Sequence, residues 1–290
     1  MILRGDFFSE TLHTTTNIQF FIPEYSADYI KAVSDRSSSG LKTYEPPPAQ
    51  NDRPFRAVYL FHGLHGNQGT WLDNTMLPVY ARKYNAVFVM PETGRVFYTN
   101  QKYGRRYYDY ISDELPRLCR KIFNISGKRE DTAVIGCSMG GYGALRLAFS
   151  RPDHFGFCGA IAAATLYFKP LLEALQKDPG PWLENGREAA EILSDLYSIY
   201  GQGLEYRKEY DVVELARNFP ASMPKPKIYA ACGTEDELRD DNVRFYEEEM
   251  QNSAFDYTYE EWTGTHDWYF FNDALKKALE FWYTSAPPAA

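Results

Sequence analysis

One stretch of the sequence places a strand pattern, a glycine-rich turn and a helix pattern around a single serine. Residues 132–137 form a short β-branched and apolar run, and residues 144–149 favour a helix. Between them lies the pattern Gly-x-Ser-x-Gly, with Ser138 at its centre. A serine on such a strand-to-helix turn projects its hydroxyl from the sheet edge, and the glycines prevent collisions across the turn. The pattern predicts that Ser138 is a catalytic nucleophile.

Five histidines are available to activate this serine. A serine hydroxyl needs a base to take its proton, and histidine titrates in the suitable range. His266 follows a predicted strand over residues 255–262 and precedes the last predicted helix. We expect surface or hydrogen-bonding roles for His13 and His154, which lie beside strand or helix-end patterns. His266 is therefore the predicted base.

The third member of a catalytic triad should be a carboxylate that precedes His266 in the chain. The predicted strand over residues 227–231 leads into a loop with several acids. An acid there can orient the imidazole and stabilise its charged form. We predict Asp236 for this role. Three neighbouring carboxylates compete with it: Glu235, Asp240 and Asp241.

Two backbone N–H groups are expected to stabilise the negative charge of a tetrahedral intermediate. One belongs to Met139, which begins the helix after the nucleophile. The other should come from residues 62–67, a loop with the pattern His-Gly-x-x-Gly after the apolar strand over residues 55–61. We predict Leu64 as that donor. Taken alone, the loop is explained equally well as a turn that ends a strand.

Strand patterns alternate with helix patterns along most of the chain, which predicts an α/β fold with a mostly parallel sheet flanked by helices. Ligands bind such sheets at the carboxyl ends of the strands. Residues 14–22 are expected to form an edge strand, and residues 31–54 a polar connection. Helices are predicted over 107–123, with Pro116 marking a kink or a new helical start, and over 268–283. Further apolar strands are predicted over 86–90 and 158–163.

The strand–helix rhythm breaks over residues 167–223, which predicts a cap or an insertion over the catalytic edge. This segment would either shape the substrate site or form a helical pair packed on the body. Aromatic residues are dense in it and in the motif loops. Such rings either contact substrate or belong to the core. The predicted substrate contacts are Trp71, Trp182 and Trp268, and Tyr197 and Tyr200 are further aromatic residues of the segment.

Composition narrows the class of protein. The 290 residues carry a formal charge of −8, which disfavours nucleic acid and anionic membranes as partners. No apolar run is long enough to span a membrane, and no signal peptide is recognised. The four cysteines lack C-x-x-C spacing, which suits a reducing, cytoplasmic location. No residue cluster has metal-site spacing, and neither a metal nor a cofactor is expected.

These residues resemble the esterase D-like branch of the α/β-hydrolases. That branch includes tributyrin-type acetyl esterases, feruloyl and acetylxylan esterases of carbohydrate esterase family 1, and S-formylglutathione hydrolases. The last group usually carries a histidine where this chain has Tyr142, which disfavours that activity. The resemblance extends over nearly the whole chain from Phe55 onward. It is carried by YLFHGLHGNQGTW (59–71), YYDYISDELP (107–116), AVIGCSMGGYGALRLA (133–148), ACGTEDEL (231–238) and GTHDWYFF (264–271).

The resemblance implies one α/β-hydrolase domain over residues 1–290 and a triad of Ser138, Asp236 and His266. Leu64 and Met139 would be the oxyanion donors. The expected activity is hydrolysis of short acyl esters, acetyl esters among them, of small molecules or oligosaccharides through an acyl-serine intermediate. Feruloyl ester hydrolysis and acyl transfer of the mycolyltransferase type are alternatives, and an inactive binding protein is the least favoured one. Assembly into a homo-oligomer is compatible with these observations.

Overall fold

The structure is a computed structural model that describes residues 1–23 and 54–285. The predicted polar connection over residues 31–54 lies outside the described residues, apart from Pro54. The described strands are β1 (Ile2–Ser9), β2 (Thr14–Phe21), β3 (Arg56–Phe61), β4 (Ala86–Pro91), β5 (Thr132–Cys137), β6 (Phe157–Ile161), β7 (Lys227–Gly233) and β8 (Tyr257–Trp262).

These strands form a single sheet in the order β1-β2-β4-β3-β5-β6-β7-β8. Only the β1–β2 and β2–β4 pairs are antiparallel. The registers bring the ends of the parallel strands to one level: Phe61 pairs with Gly136, Cys137 with Ile161, and Gly233 with Trp262. The loops that follow β3, β5, β6, β7 and β8 therefore emerge at one edge. The prediction of a mostly parallel sheet flanked by helices is confirmed.

Helices connect and cover the strands on both faces. The described ones are α1 (Thr70–Asn74), α2 (Leu77–Tyr80), α3 (Tyr107–Asp109), α4 (Leu115–Ile122), α5 (Met139–Ser150), α6 (Phe168–Lys177), α7 (Gly180–Glu184), α8 (Arg187–Tyr200), α9 (Val212–Arg217), α10 (Arg239–Phe245) and α11 (Trp268–Ser285). The helix expected over residues 107–123 is interrupted by a π-helical turn, Tyr110–Glu114. Pro116 lies in the first turn of α4, where its missing N–H is tolerated, so it marks a new helical start.

The two faces of the sheet contribute to two separate clusters of buried side chains. Successive side chains of a strand point to opposite faces. In β3, Tyr59 and Phe61 belong to the cluster that includes α5, whereas Val58 and Leu60 belong to the one that includes α11. Every residue of α5 from Met139 to Phe149 is buried. Helix α5 must therefore be covered on its outer side by further chain.

The segment over residues 167–223 supplies that cover. Phe168, Leu172 and Leu175 of α6 are buried with helical spacing, as are Leu196 and Tyr200 of α8. The ring of Phe168 lies 5.0 Å from that of Tyr142 in α5 and 5.6 Å from that of Tyr200. Helices α6 and α8 thus pack on the body of the protein. The short helix α7 is the exposed part of the segment.

The position of β2 corrects one prediction. Residues 14–22 do contain a strand, but this strand is not at the edge, because β1 pairs with it along its whole length. Strand β1 was not recognised in the sequence. Its residues are almost all exposed, so it has no buried face to impose an alternating pattern.

A substitution in α8 distinguishes a packed segment from a mobile cap. The side chain of Leu196 is fully buried, whereas Leu183 in α7 is 52% exposed. We expect Leu196→Ala to lower the free energy of unfolding by about 2–5 kcal/mol, because it leaves a cavity in the core. Leu183→Ala is the matched control and should change it by less than about 0.5 kcal/mol. Urea denaturation measures both, and equal small effects would contradict the packing described here.

Candidate active site

Ser138 occupies a strained turn between β5 and α5. Its backbone angles are φ 55° and ψ −123°, a conformation that L-residues seldom adopt. The Ser138 N–H donates to the carbonyl of Ile161 at 2.9 Å. The Ser138 carbonyl accepts from the N–H groups of Gly141 and Ala164 at 2.9 and 3.0 Å. These bonds fix the turn, and they attach it to the end of β6.

The two glycines of the motif are required by close backbone approach. A Cβ added at Gly136 would lie 2.1 Å from the carbonyl oxygen of Gly140, and one added at Gly140 would lie 2.3 Å from that of Phe61. Neither position therefore has room for a side chain. The first turn of α5 consequently packs directly on the end of β3, beside the loop that follows it.

His266 and Asp236 are brought together by the loops after β8 and β7. His266 Nδ1 lies 2.9 Å from Asp236 Oδ2 and 3.1 Å from Oδ1. The Asp236 side chain is completely buried, whereas that of His266 is 23% exposed. The Glu235 N–H donates to the carbonyl of Gly264 at 3.0 Å, which joins the two loops. A buried carboxylate on Nδ1 orients the ring and stabilises its protonated form.

The competing acids do not share this position. Within the described residues, neither Glu235, Asp240 nor Asp241 forms a hydrogen bond or ion pair with His266. The Asp240 side chain is fully exposed and lies 4.0 Å from Arg239. The Ser138 hydroxyl likewise forms no hydrogen bond with His266 in the described part of the chain. Such bonds often tighten only in the complex with substrate.

The predicted oxyanion donors lie on the two segments that meet at Gly140. A Cβ added at Gly63 would lie 3.4 Å from Ser138 Cβ, so the loop after β3 passes directly beside Ser138. Met139 is the first residue of α5, and N–H groups in a first helical turn have no partner within the helix. Within residues 1–23 and 54–285, neither Leu64 N–H nor Met139 N–H donates a hydrogen bond. Neither predicted donor therefore has a competing acceptor in the described part of the chain.

The three tryptophans differ in position. Trp71 is fully buried and its Nε1 donates to the carbonyl of Phe61 at 3.0 Å. Its ring lies edge-on to that of Trp268, with centroids 5.4 Å apart. A ring with no exposed surface cannot contact substrate, so the expectation for Trp71 is corrected: it supports the loop instead. Trp268, two residues after His266, and Trp182 in α7 are both partly exposed.

Asn242 in α10 was missed by the sequence analysis. It is buried, accepts from Ala163 N–H at 3.1 Å, and donates to the carbonyls of Ala163 and Leu238 at 2.9 and 2.8 Å. Asn242 therefore connects the loop of Asp236 to Ala163. The next residue, Ala164, donates its N–H to the Ser138 carbonyl. Among the surrounding charged residues, an asparagine gives no signal of this role in the sequence.

A separate cavity of about 530 Å³ lies along the C-terminal half of α5. The guanidinium of the buried Arg146 lines it, 4.0 Å from the ring centroid of Tyr108 and 4.4 Å from that of Tyr210. Arg146 Nη1 also donates to the carbonyl of Tyr98 at 2.6 Å. None of the three triad candidates lines this cavity.

Comparison with known proteins decides the family. A model of the Esterase family ("Putative esterase") matches residues 37–282. The chain belongs to this Esterase family. An acetyl esterase of Caldicellulosiruptor saccharolyticus is 29% identical over 281 residues, covering 97% of each chain.

Solved structures show the same fold. An S-formylglutathione hydrolase (FrmB) of Staphylococcus aureus matches with a TM-score of 0.71 and 26% identity, covering 97% of this chain and 98% of its own. The fluorophosphonate-binding serine hydrolase FphF of the same organism gives 0.75 and 24%, with the same coverage. The predicted α/β-hydrolase fold is confirmed, and this esterase is a serine-dependent carboxylic ester hydrolase.

Two kinds of feature are absent from the described residues. No group of three or more histidine, cysteine or acidic side chains in residues 1–23 and 54–285 is arranged to bind a metal ion. In the same residues, no helix is both long and apolar enough to cross a membrane.

The contact between Asp236 and His266 yields a test of the triad. We expect Asp236→Asn to reduce kcat on the order of 10⁴-fold, because an amide neither fixes the correct tautomer nor stabilises the imidazolium. Asp240→Asn is the matched control in the same loop and should leave kcat unchanged. Steady-state assays with p-nitrophenyl acetate measure both. A larger loss of kcat in the Asp240 variant than in the Asp236 variant would show that Asp236 is not the triad acid.

Proposed function

We propose that this esterase hydrolyses short-chain carboxylic esters, acetyl esters above all, with Ser138 as nucleophile, His266 as base and Asp236 as acid. The observation that carries the proposal is the strained Ser138 turn, which lies against Gly63. The residues that follow Gly63 and Ser138 in the chain, Leu64 and Met139, have N–H groups without a partner in the described residues. The buried Asp236 carboxylate on His266 Nδ1 supports the assignment of the base. The acetyl esterase relative supports the substrate class.

The reaction would proceed in two steps. Ser138 Oγ attacks the ester carbonyl carbon while His266 Nε2 takes the hydroxyl proton. The carbonyl oxygen becomes an oxyanion that accepts from Leu64 and Met139 N–H. Collapse of this intermediate breaks the bond to the alcohol, which leaves with the proton from His266. Water then gives a proton to His266, attacks the acyl carbon, and releases the carboxylic acid while Ser138 regains its proton.

The acyl site would be small and partly aromatic. Trp268 and Trp182 are the proposed substrate contacts. His65 belongs to the loop after β3, residues 62–67, which is named the oxyanion loop for its proposed role. It lies 3.4 Å from Glu188 at the start of α8, which supports a position of the α7–α8 junction near the active site. Helices α6 and α8 direct their apolar side chains into the core, and the exposed residues of this segment include no long aliphatic stripe. A fatty chain would therefore find little apolar surface.

We also propose a single domain over residues 1–290 and a cytoplasmic location. One continuous sheet supports the first proposal. The second is supported by the cysteines, which are all described and are all buried free thiols. Burial raises the pKa of Cys137, next to the nucleophile, to about 12. Such thiols are unreactive.

Replacement of Ser138 tests the mechanism. Ser138→Ala should reduce kcat by about 10⁴–10⁶-fold, as triad deletions do in serine hydrolases. A fluorophosphonate should label the wild-type protein and not the variant, as detected by intact mass. Ser285→Ala, at the exposed end of α11, is the control and should remain active and be labelled. More than a tenth of wild-type activity in Ser138→Ala would overturn the proposal.

Chain-length profiling tests the acyl preference. We expect kcat/KM for p-nitrophenyl esters to be highest from acetate to butyrate and to fall by chains of about eight carbons, because each CH₂ left unburied forgoes about 0.8 kcal/mol. A steady rise from acetate to laurate would contradict a short acyl site. Methyl ferulate and sugar acceptors belong in the same panel. A preference for ferulate, or transfer to sugars, would establish one of the alternative activities.

A further inference from the structure

Three consecutive carbonyls at the start of the oxyanion loop each accept a hydrogen bond from a side chain. The Phe61 carbonyl accepts from Trp71 Nε1 at 3.0 Å, and the His62 carbonyl from the Tyr98 hydroxyl at 2.8 Å. The Gly63 carbonyl lies 2.8 Å from His62 Nδ1. Trp71, Tyr98 and His62 are all buried. The orientation of this loop is therefore determined by interior side chains.

The hydrogen bonds of the His62 ring determine its tautomer. The Thr93 N–H donates to Nε2 at 3.3 Å. A backbone N–H can only donate, so Nε2 must carry the lone pair. The proton of the neutral ring is then on Nδ1, which donates to the Gly63 carbonyl, a group that can only accept. One ring thus joins the loop after β4 to the oxyanion loop.

Because the peptide bond is planar, a contact that fixes the Gly63 carbonyl also orients the N–H group of the next residue. The Gly63 carbonyl and the Leu64 N–H belong to one trans peptide unit and point in opposite directions. Gly66 N–H also donates to the Gly63 carbonyl, at 3.0 Å. Fixing this oxygen therefore fixes the direction of the Leu64 N–H, which follows Gly63, the residue that lies against Ser138.

We propose that His62 is a positioning residue of the oxyanion hole: its Nδ1–H orients the Gly63–Leu64 peptide so that the Leu64 N–H meets the developing oxyanion. This inference rests on the proposed function, in which Leu64 is an oxyanion donor. His62 does not touch the substrate in this scheme and exchanges no proton.

The environment of His62 favours the neutral ring that this role requires. Burial is the largest influence and lowers the pKa of His62 below its ordinary value. Glu92 acts in the opposite direction, with Oε1 4.0 Å from Nε2. The Glu92 carboxylate also accepts from the N–H groups of Gly94 and Gln68. Tyr98 is another titratable group beside His62 among the described residues, and burial keeps it neutral by raising its pKa.

Two amide substitutions distinguish the role of Nδ1 from that of Nε2 in the His62 ring. The amide group of asparagine lies near the position of Nδ1 and can donate to the Gly63 carbonyl. The amide of glutamine reaches the position of Nε2 and can accept from Thr93, but it leaves the Gly63 carbonyl without its side-chain donor. We expect His62→Gln to lower kcat by about 10–100-fold with little change in KM, since complete loss of one oxyanion donor costs about 10²–10³-fold. His62→Asn should retain most of the activity.

The measurements distinguish positioning from folding. Burst titration of active sites gives kcat per folded enzyme, and His13→Asn, at the exposed β1–β2 turn, is the control. The inhibition constant of ethylboronic acid, whose Ser138 adduct places an oxygen in the oxyanion hole, should rise in His62→Gln by the same factor as kcat falls. Wild-type kcat in His62→Gln, or equal losses in both amide variants, would overturn the proposal.

A measurement on the wild-type protein covers the case in which a variant does not fold. Nitrogen NMR of the histidine rings should show His62 protonated on Nδ1 and unprotonated on Nε2 near neutral pH. The reverse tautomer would overturn the proposal. If the wild type hydrolyses esters and Ser138→Ala does not, failure of these tests concerns His62 alone. If the wild type is inactive on every ester, the proposed function fails and this inference fails with it.

Discussion

The contact between the first turn of α5 and the end of β3 is the constraint on which the active site depends. At Gly140 the two backbones approach so closely that a Cβ would overlap the Phe61 carbonyl. This contact places Met139, Ser138 and Gly63 side by side. The strained conformation of Ser138 costs about 1–3 kcal/mol. Hydrogen bonds from Ser138 to Ile161 and from Ala164 to Ser138 oppose that cost, as does the burial of α5 from Met139 to Phe149.

The loop after β6 links Ser138 to the pair formed by Asp236 and His266. Strand β6 lies between β5, which leads to Ser138, and β7, which leads to Asp236. Ala162 and Thr165 in this loop have positive φ angles of 43° and 54°. Asn242 bonds both backbone groups of Ala163 and thereby stabilises this unusual path. A loop that carries none of the three proposed triad residues therefore connects the turn of Ser138 to the loop of Asp236.

How much of this could be predicted depends on whether the cause is local in sequence. The turn at Ser138 follows from glycines two residues away and was predicted. Strands β3, β4, β5 and β7 follow from continuous apolar runs, and their bounds were predicted to within two residues. The hydrogen bond from Trp71 to the Phe61 carbonyl joins residues that are 10 positions apart in the chain. The one from Asn242 to the Ala163 carbonyl joins residues that are 79 positions apart. No local pattern encodes such contacts. Strand β1 escaped recognition because it buries almost nothing.

The packing of α6 and α8 limits where substrate selection can arise. Because these helices bury their apolar side chains against α5, their movement would expose the helix that begins directly after Ser138. The exposed α7 and the junction near Glu188 carry few buried contacts and can vary without disturbing the core. The ion pair between His65 and Glu188 lies at the surface, where such pairs contribute about 0–1 kcal/mol. The rim of this segment, which is proposed to face the substrate, is therefore weakly held, whereas the interior that supports Ser138 and the oxyanion loop is closely packed. Differences in acyl preference among related enzymes would then be expected to concentrate in α7 and its flanking turns rather than in α6 or α8.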